Sequence, residues 1–100
     1  MSYTVRFTQE AERDLLELHA FLAELDPLPA KAAIETLRKA LDLLALFPFS
    51  CRKASGADTP RLREMVVSFG QRGYVMLFEI ESKQYVTVIA VRHQREDDFF

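Results

Sequence analysis

The tetrapeptide Asp26-Pro27-Leu28-Pro29 restricts this chain more than any other feature. Two prolines so close together cannot lie in a helix interior, because each lacks an amide donor and crowds the preceding turn. Yet apolar residues recur at helical spacing on both sides. Before the break, Ala11, Leu15, Leu18, Leu22 and Leu25 alternate steps of four and three, which is one apolar helical face. Thr8 suits the N-cap of that helix, and Glu10 and Glu12 put negative charge in its first turn, where the helix dipole favours it. After the break, Ala33, Leu37, Ala40, Leu41 and Leu44 continue to about Phe47, where Pro48 stops them; Pro29 fits the first turn of this second helix. Two amphipathic helices joined so tightly must fold back as a hairpin.

The period then changes from 3.6 to two. Tyr3, Val5 and Phe7 alternate in a short opening strand. Residues 49–60, with Ser50, Ser55, Gly56, Asp58 and Pro60, read as a loop. Three strands are expected beyond it, over Leu62 to Phe69, Tyr74 to Glu81 and Tyr85 to Arg92. Gly70-Gln71-Arg72-Gly73 and Ser82-Lys83-Gln84 supply their turns. The expected order is β-α-α-β-β-β, an α+β fold in which the helical hairpin covers one face of a mainly antiparallel sheet and leaves the other partly open.

Composition narrows the function classes. The 100 residues are 49% hydrophobic and 28% charged, enough for one small core, and a single domain over residues 1–100 is expected. Cys51 is the only cysteine, so no internal disulfide forms, and no zinc-type cluster or cofactor motif is present. Its neighbours Arg52 and Lys53 are placed to lower its pKa, but nothing marks it as a catalytic thiol. The opening Met1-Ser2-Tyr3-Thr4-Val5-Arg6 lacks the pattern of a secretory leader, and no apolar run reaches the ~18 residues of a membrane span. A cytoplasmic protein is expected. Net charge is −2, against a protein whose main task is gripping a phosphate backbone. Charge is nonetheless uneven. Residues 1–50 carry five basic and eight acidic side chains, residues 51–95 eight basic and four acidic, and Glu96, Asp97 and Asp98 follow.

Several segments resemble the RelE/ParE toxins of bacterial toxin–antitoxin systems. Phe7-Thr8-Gln9-Glu10-Ala11-Glu12-Arg13-Asp14-Leu15 is similar to the family's entry into its first helix, and Leu44-Ala45-Leu46-Phe47-Pro48 to the end of its second. Leu62-Arg63-Glu64-Met65, Gly73-Tyr74-Val75-Met76-Leu77-Phe78 and Val91-Arg92-His93-Gln94-Arg95-Glu96 resemble strand motifs, the last that of a ParE-like group. The order and spacing of these pieces, over residues 3–100, carry the resemblance. It implies the family fold, a ParD-like antitoxin that wraps the hairpin and sheet, and DNA gyrase as target. It implies no cofactor, no metal, no membrane association and no sequence-specific nucleic-acid binding by the toxin alone.

The superfamily's RelE branch instead cuts ribosome-bound mRNA, which needs cations at the scissile phosphate and groups that move protons. Anchored on Gly73-Tyr74, that branch's two lysine positions fall on Val66 and Ser68, and the arginine after the tyrosine on Val75. A later arginine falls near Gln94, flanked by Arg92 and Arg95, and a terminal tyrosine near Phe100. The alternative catalytic set is therefore His93 with Arg92 and Arg95. The resemblance favours a gyrase poison whose target- or partner-binding residues are Arg63, Arg72, Arg92, His93, Arg95, Phe99 and Phe100, because arginines with aromatics are common interface anchors. The plainer alternatives are cross-strand pairing of Arg63 and Arg92 with Glu64, Glu79 or Glu81, a strand-end role for His93, and aromatics folded back on the sheet. His19 is expected only to flank its helix. A degenerate toxin acting as an interaction module is a third possibility.

Overall fold

A computed structural model describes residues 2–24, 27–54, 60–69 and 72–93. The elements run β1 (Thr4–Phe7), α1 (Gln9–Ala23), α2 (Pro27–Leu46), a 3-10 turn (Pro48–Ser50), β2 (Arg52–Lys53), β3 (Leu62–Phe69), β4 (Arg72–Ile80) and β5 (Tyr85–His93). The sheet order is β1-β5-β4-β3-β2, antiparallel except where β1 lies parallel to β5. The expected β-α-α-β-β-β order is correct, with one addition: β2 forms inside the expected loop and pairs with the start of β3.

Local chemistry accounts for the helix starts. The Thr8 Oγ1 accepts the Ala11 amide at 3.1 Å, the N-cap bond expected there. Helix α2 starts at Pro27, two residues before Pro29, so both prolines lie in its first turn, where amides have no intrahelical partner. Where described, the helical faces read from the sequence are the buried ones; the side chains of Leu22 and Leu25 lie outside the described residues. Ala11, Leu18, Ala33, Ala40 and Leu44 lie in the core, with Leu15, Leu37 and Leu41 packed against it.

The sheet contributes alternate residues to that core. Tyr74, Met76, Phe78 and Ile80 of β4, Val86, Val88 and Val91 of β5, and Val67 of β3 are all buried against the helices. Burying side chains of this size is worth about 1.5–3 kcal/mol each, which is the main force holding the hairpin to the sheet. One irregularity decides what faces outward. Leu77 pairs with Ala90 but Phe78 pairs with Val88, so Ile89 is an extra residue in β5. Strict alternation from Val86 and Val88 would send Arg92 into the helices. The bulge instead buries Val91 and turns Arg92 to the exposed side.

Candidate functional site

The face of the sheet away from the helices carries Thr4 and Arg6 of β1, Tyr85, Thr87 and Arg92 of β5, Val75, Leu77 and Glu79 of β4, and Leu62, Glu64, Val66 and Ser68 of β3. Its charges are mostly self-paired. At one edge the Arg6 Nη2 meets the Glu81 Oε2 at 2.7 Å, and the guanidinium lies 3.8 Å from the centre of the Tyr85 ring. At the opposite edge the Arg52 Nε meets the Glu64 Oε1 at 2.7 Å. The Arg6–Glu81 pair, open to solvent on both sides, adds about 0–1 kcal/mol, while the Glu64 carboxylate is more covered; each pair occupies a cation.

Between these edges runs the row Val66–Val75–Arg92, three residues joined by direct cross-strand register. Two of the positions that the RelE comparison marked for cations are therefore neighbours here, and both are valine. Ser68, the third, stands opposite Gly73. Among the described residues, Arg92 is the sole cation of this row, it is exposed, and it makes no ion pair. Beside it, Val75 is 6% exposed.

Arg63 behaves differently from a surface contact. Its Nε donates to the Pro60 carbonyl at 2.6 Å, and its Nη1 donates to the carbonyls of Cys51 at 2.8 Å and Phe49 at 3.2 Å. The guanidinium also lies 5.3 Å from the Phe49 ring centre. The cross-strand carboxylate pairing weighed as the plainer alternative for Arg63 does not form. Glu64 is taken by Arg52 and Glu81 by Arg6, and the acceptors of Arg63 are backbone oxygens around the 3-10 turn. Arg72 and His93 occupy register positions opposite Phe69 and Tyr74, while Arg95, Phe99 and Phe100 lie outside the described residues. The residues that would form the His93, Arg92 and Arg95 set are thus not all among those described. His19 is exposed on α1, as expected.

Cys51 also departs from expectation. Burial pushes its thiol pKa up, against opposing pulls from the Arg63 charge and a Ser50 hydrogen bond. Arg52 and Lys53 are not the governing neighbours. Among the described residues no cluster of His, Cys, Asp and Glu is arranged to hold a metal ion, and no helix is long and apolar enough to cross a membrane.

Two further surfaces were not legible in the sequence. Leu43, Leu46, Phe47 and Phe49 are all at least half exposed, clustered at the end of α2 and the turn that follows. Leu43 and Leu46 lie one turn apart on α2, and Phe47 and Phe49 follow just beyond its end. A groove of ≈ 620 Å³ separates α1 from the far half of β5, with Glu10, Arg13, Asp14, Glu17, Phe21 and Arg92 among its walls.

Solved structures with this arrangement exist, and 9 chains match it. One belongs to a structure described as the chromosomal ParDE TA system from P. aeruginosa, with a TM-score of 0.64 and 13% identity, covering 91% of this chain and 95% of that one. At that identity the likeness is one of fold. No curated protein matches the chain. A family model described as the ParE toxin of the type II toxin-antitoxin system, parDE, matches residues 5–98. A match of that extent places the chain in the ParE toxin family of type II toxin–antitoxin systems.

Proposed function

We propose that this chain, acting as one toxin domain over residues 1–100 in the cytoplasm, arrests growth by holding DNA gyrase in its DNA-cleaved state. A ParD-like antitoxin neutralises it. The observation that carries this reading is the row Val66–Val75–Arg92, where a ribonuclease of the superfamily would need several cations. Cleavage by a 2′-hydroxyl builds negative charge on the phosphoryl oxygens, and removing one donor at such a site typically costs about 10²–10³ in rate. Two valines in that row leave Arg92 as its one cation among the described residues, fewer than such chemistry needs.

A gyrase poison needs no such pocket. It must bind one state of its target more tightly than another, since equal affinity shifts no population. An exposed arginine beside the buried Val75 and the exposed Val66 suits that task, and arginines commonly anchor protein interfaces. The net charge of −2 also supports a protein partner over direct sequence-specific nucleic-acid binding. The exposed Leu43, Leu46, Phe47 and Phe49 supply an apolar patch of the kind an amphipathic segment of an antitoxin covers.

The test is cleavage of supercoiled plasmid by purified gyrase with increasing toxin. Linear DNA released by detergent and protease is expected to rise with toxin and to fall back when the antitoxin is added. No rise at micromolar toxin, together with new cuts in translated mRNA, would assign the chain to the ribonuclease branch instead.

A further inference from the structure

Strand β1 stops before β5 does. Its last register pair is Phe7 with Val88, so from Ile89 to His93 strand β5 has β4 on one side and helix α1 on the other. Backbone groups along such an edge need partners, or they offer a template to another strand. Two side chains of the β1–α1 segment take the place of the missing strand. The Thr8 Oγ1 donates to the Ile89 carbonyl at 3.0 Å, and the Val91 amide donates to the Asp14 Oδ2 at 3.0 Å. These contacts join residues 81 and 77 positions apart in the chain. They begin where the Ile89 bulge reverses the facing of β5, so they hold the segment in which Val91 is buried and Arg92 is turned outward.

We propose that Asp14 is a positioning residue that locks the far half of β5 to α1. By holding the Val91 amide, its carboxylate fixes the strand that presents Arg92 and closes that edge to strand addition by another chain. The aspartate that belongs to the helix-opening motif Ala11-Glu12-Arg13-Asp14-Leu15 thereby acquires a physical task. The lock rests on the hydrogen bonds alone, whereas its consequence for Arg92 rests on the proposed gyrase reading.

The experiment measures amide hydrogen exchange on the full-length chain and on Asp14→Ala, Asp14→Leu and Asp14→Asn. Asparagine keeps an acceptor oxygen at the same reach; alanine does not. In Asp14→Ala the Val91 amide is expected to exchange roughly 10–100-fold faster, with Phe78 and Val88 unchanged. Asp14→Asn is expected to restore protection to within a few-fold, whereas Asp14→Leu, which fills similar space but offers no acceptor, is expected to exchange like Asp14→Ala. Gyrase cleavage should fall in Asp14→Ala and recover in Asp14→Asn. Unchanged Val91 exchange in Asp14→Ala, or no recovery in Asp14→Asn, overturns the lock. If alanine prevents folding, the unmodified chain decides: a Val91 amide that exchanges like an unstructured one overturns it, and a protected one that Asp14→Asn preserves supports it. A lock seen by exchange, with no gyrase cleavage even by the unmodified toxin, leaves the lock standing and removes the gyrase reading.

Discussion

Replacing Arg63 with alanine is expected to destabilise the fold far more than a surface arginine would. Three of the five guanidinium N–H donors are held by the carbonyls of Phe49, Cys51 and Pro60. A hydrogen bond to a charged group contributes about 1.5–3 kcal/mol when buried. Only the Cys51 bond is partly buried, so water replaces the other two at small net cost. Loss of the cation–π contact with Phe49 adds about 0.5 kcal/mol at an exposed site. The sum is about 2–3.5 kcal/mol, or a melting temperature lower by roughly 8–28 °C in a chain of this size. Arg63→Lys should recover only part of it, because a point-like ammonium cannot span three carbonyls. Urea titration read by circular dichroism gives the answer as a lower midpoint at unchanged slope. A loss below about 0.5 kcal/mol, the ordinary range for surface substitutions, would refute the clamp and return Arg63 to the pool of contact residues.

Other perturbations probe the exposed face and its surroundings. Arg92→Ala is expected to lower gyrase-dependent DNA cleavage at least tenfold while moving stability by no more than about 0.5 kcal/mol, so paired cleavage and urea assays on one preparation separate contact from folding. Thr87 buries its hydroxyl without a hydrogen-bond partner among the described residues. Thr87→Val should therefore leave stability unchanged or raise it by about 1 kcal/mol, and a clear loss would reveal a partner for that hydroxyl. Because burial raises the Cys51 pKa, its thiolate forms at higher pH than an unburied thiol's. Alkylation by iodoacetamide near neutral pH should run slower in the folded chain than in urea, with its rise shifted to higher pH; faster reaction when folded would contradict this.

Much of the fold was legible because its signals are local. Helical spacing selected the buried faces of both helices, and the prolines marked the break between them, although the first proline rather than the second begins α2. Three features left no local trace. Strand β2 is only two residues, Arg52 and Lys53, too short for any period to declare itself. The parallel pairing of β1 with β5 joins the two ends of the fold and depends on where the hairpin sets β1 down. The bulge at Ile89 sits in the run Val86-Thr87-Val88-Ile89-Ala90-Val91, where both faces are largely apolar and a slip of one residue changes no pattern.

The candidate site was legible to a different degree. The missing cations at Val66 and Val75 could be read from sequence, but their adjacency to Arg92 in a single row could not, since it needs the register of three strands. Arg63 was indistinguishable from Arg92 as an arginine in a strand. Its acceptors are backbone carbonyls up to 14 residues earlier, and side-chain patterns do not reveal carbonyls. Asp14 was visible only as part of a motif, because its partner is likewise a backbone group, the Val91 amide.

One induced culture, assayed twice, separates a protein-grasping surface from a phosphodiester-cutting one. Double-strand DNA breaks covalently tied to gyrase and new 5′ ends in translated mRNA are counted in the same cells. The row Val66–Val75–Arg92 predicts that gyrase-linked breaks climb soon after induction while mRNA ends stay at the uninduced level. Early mRNA cuts with no rise in gyrase-linked breaks would contradict it.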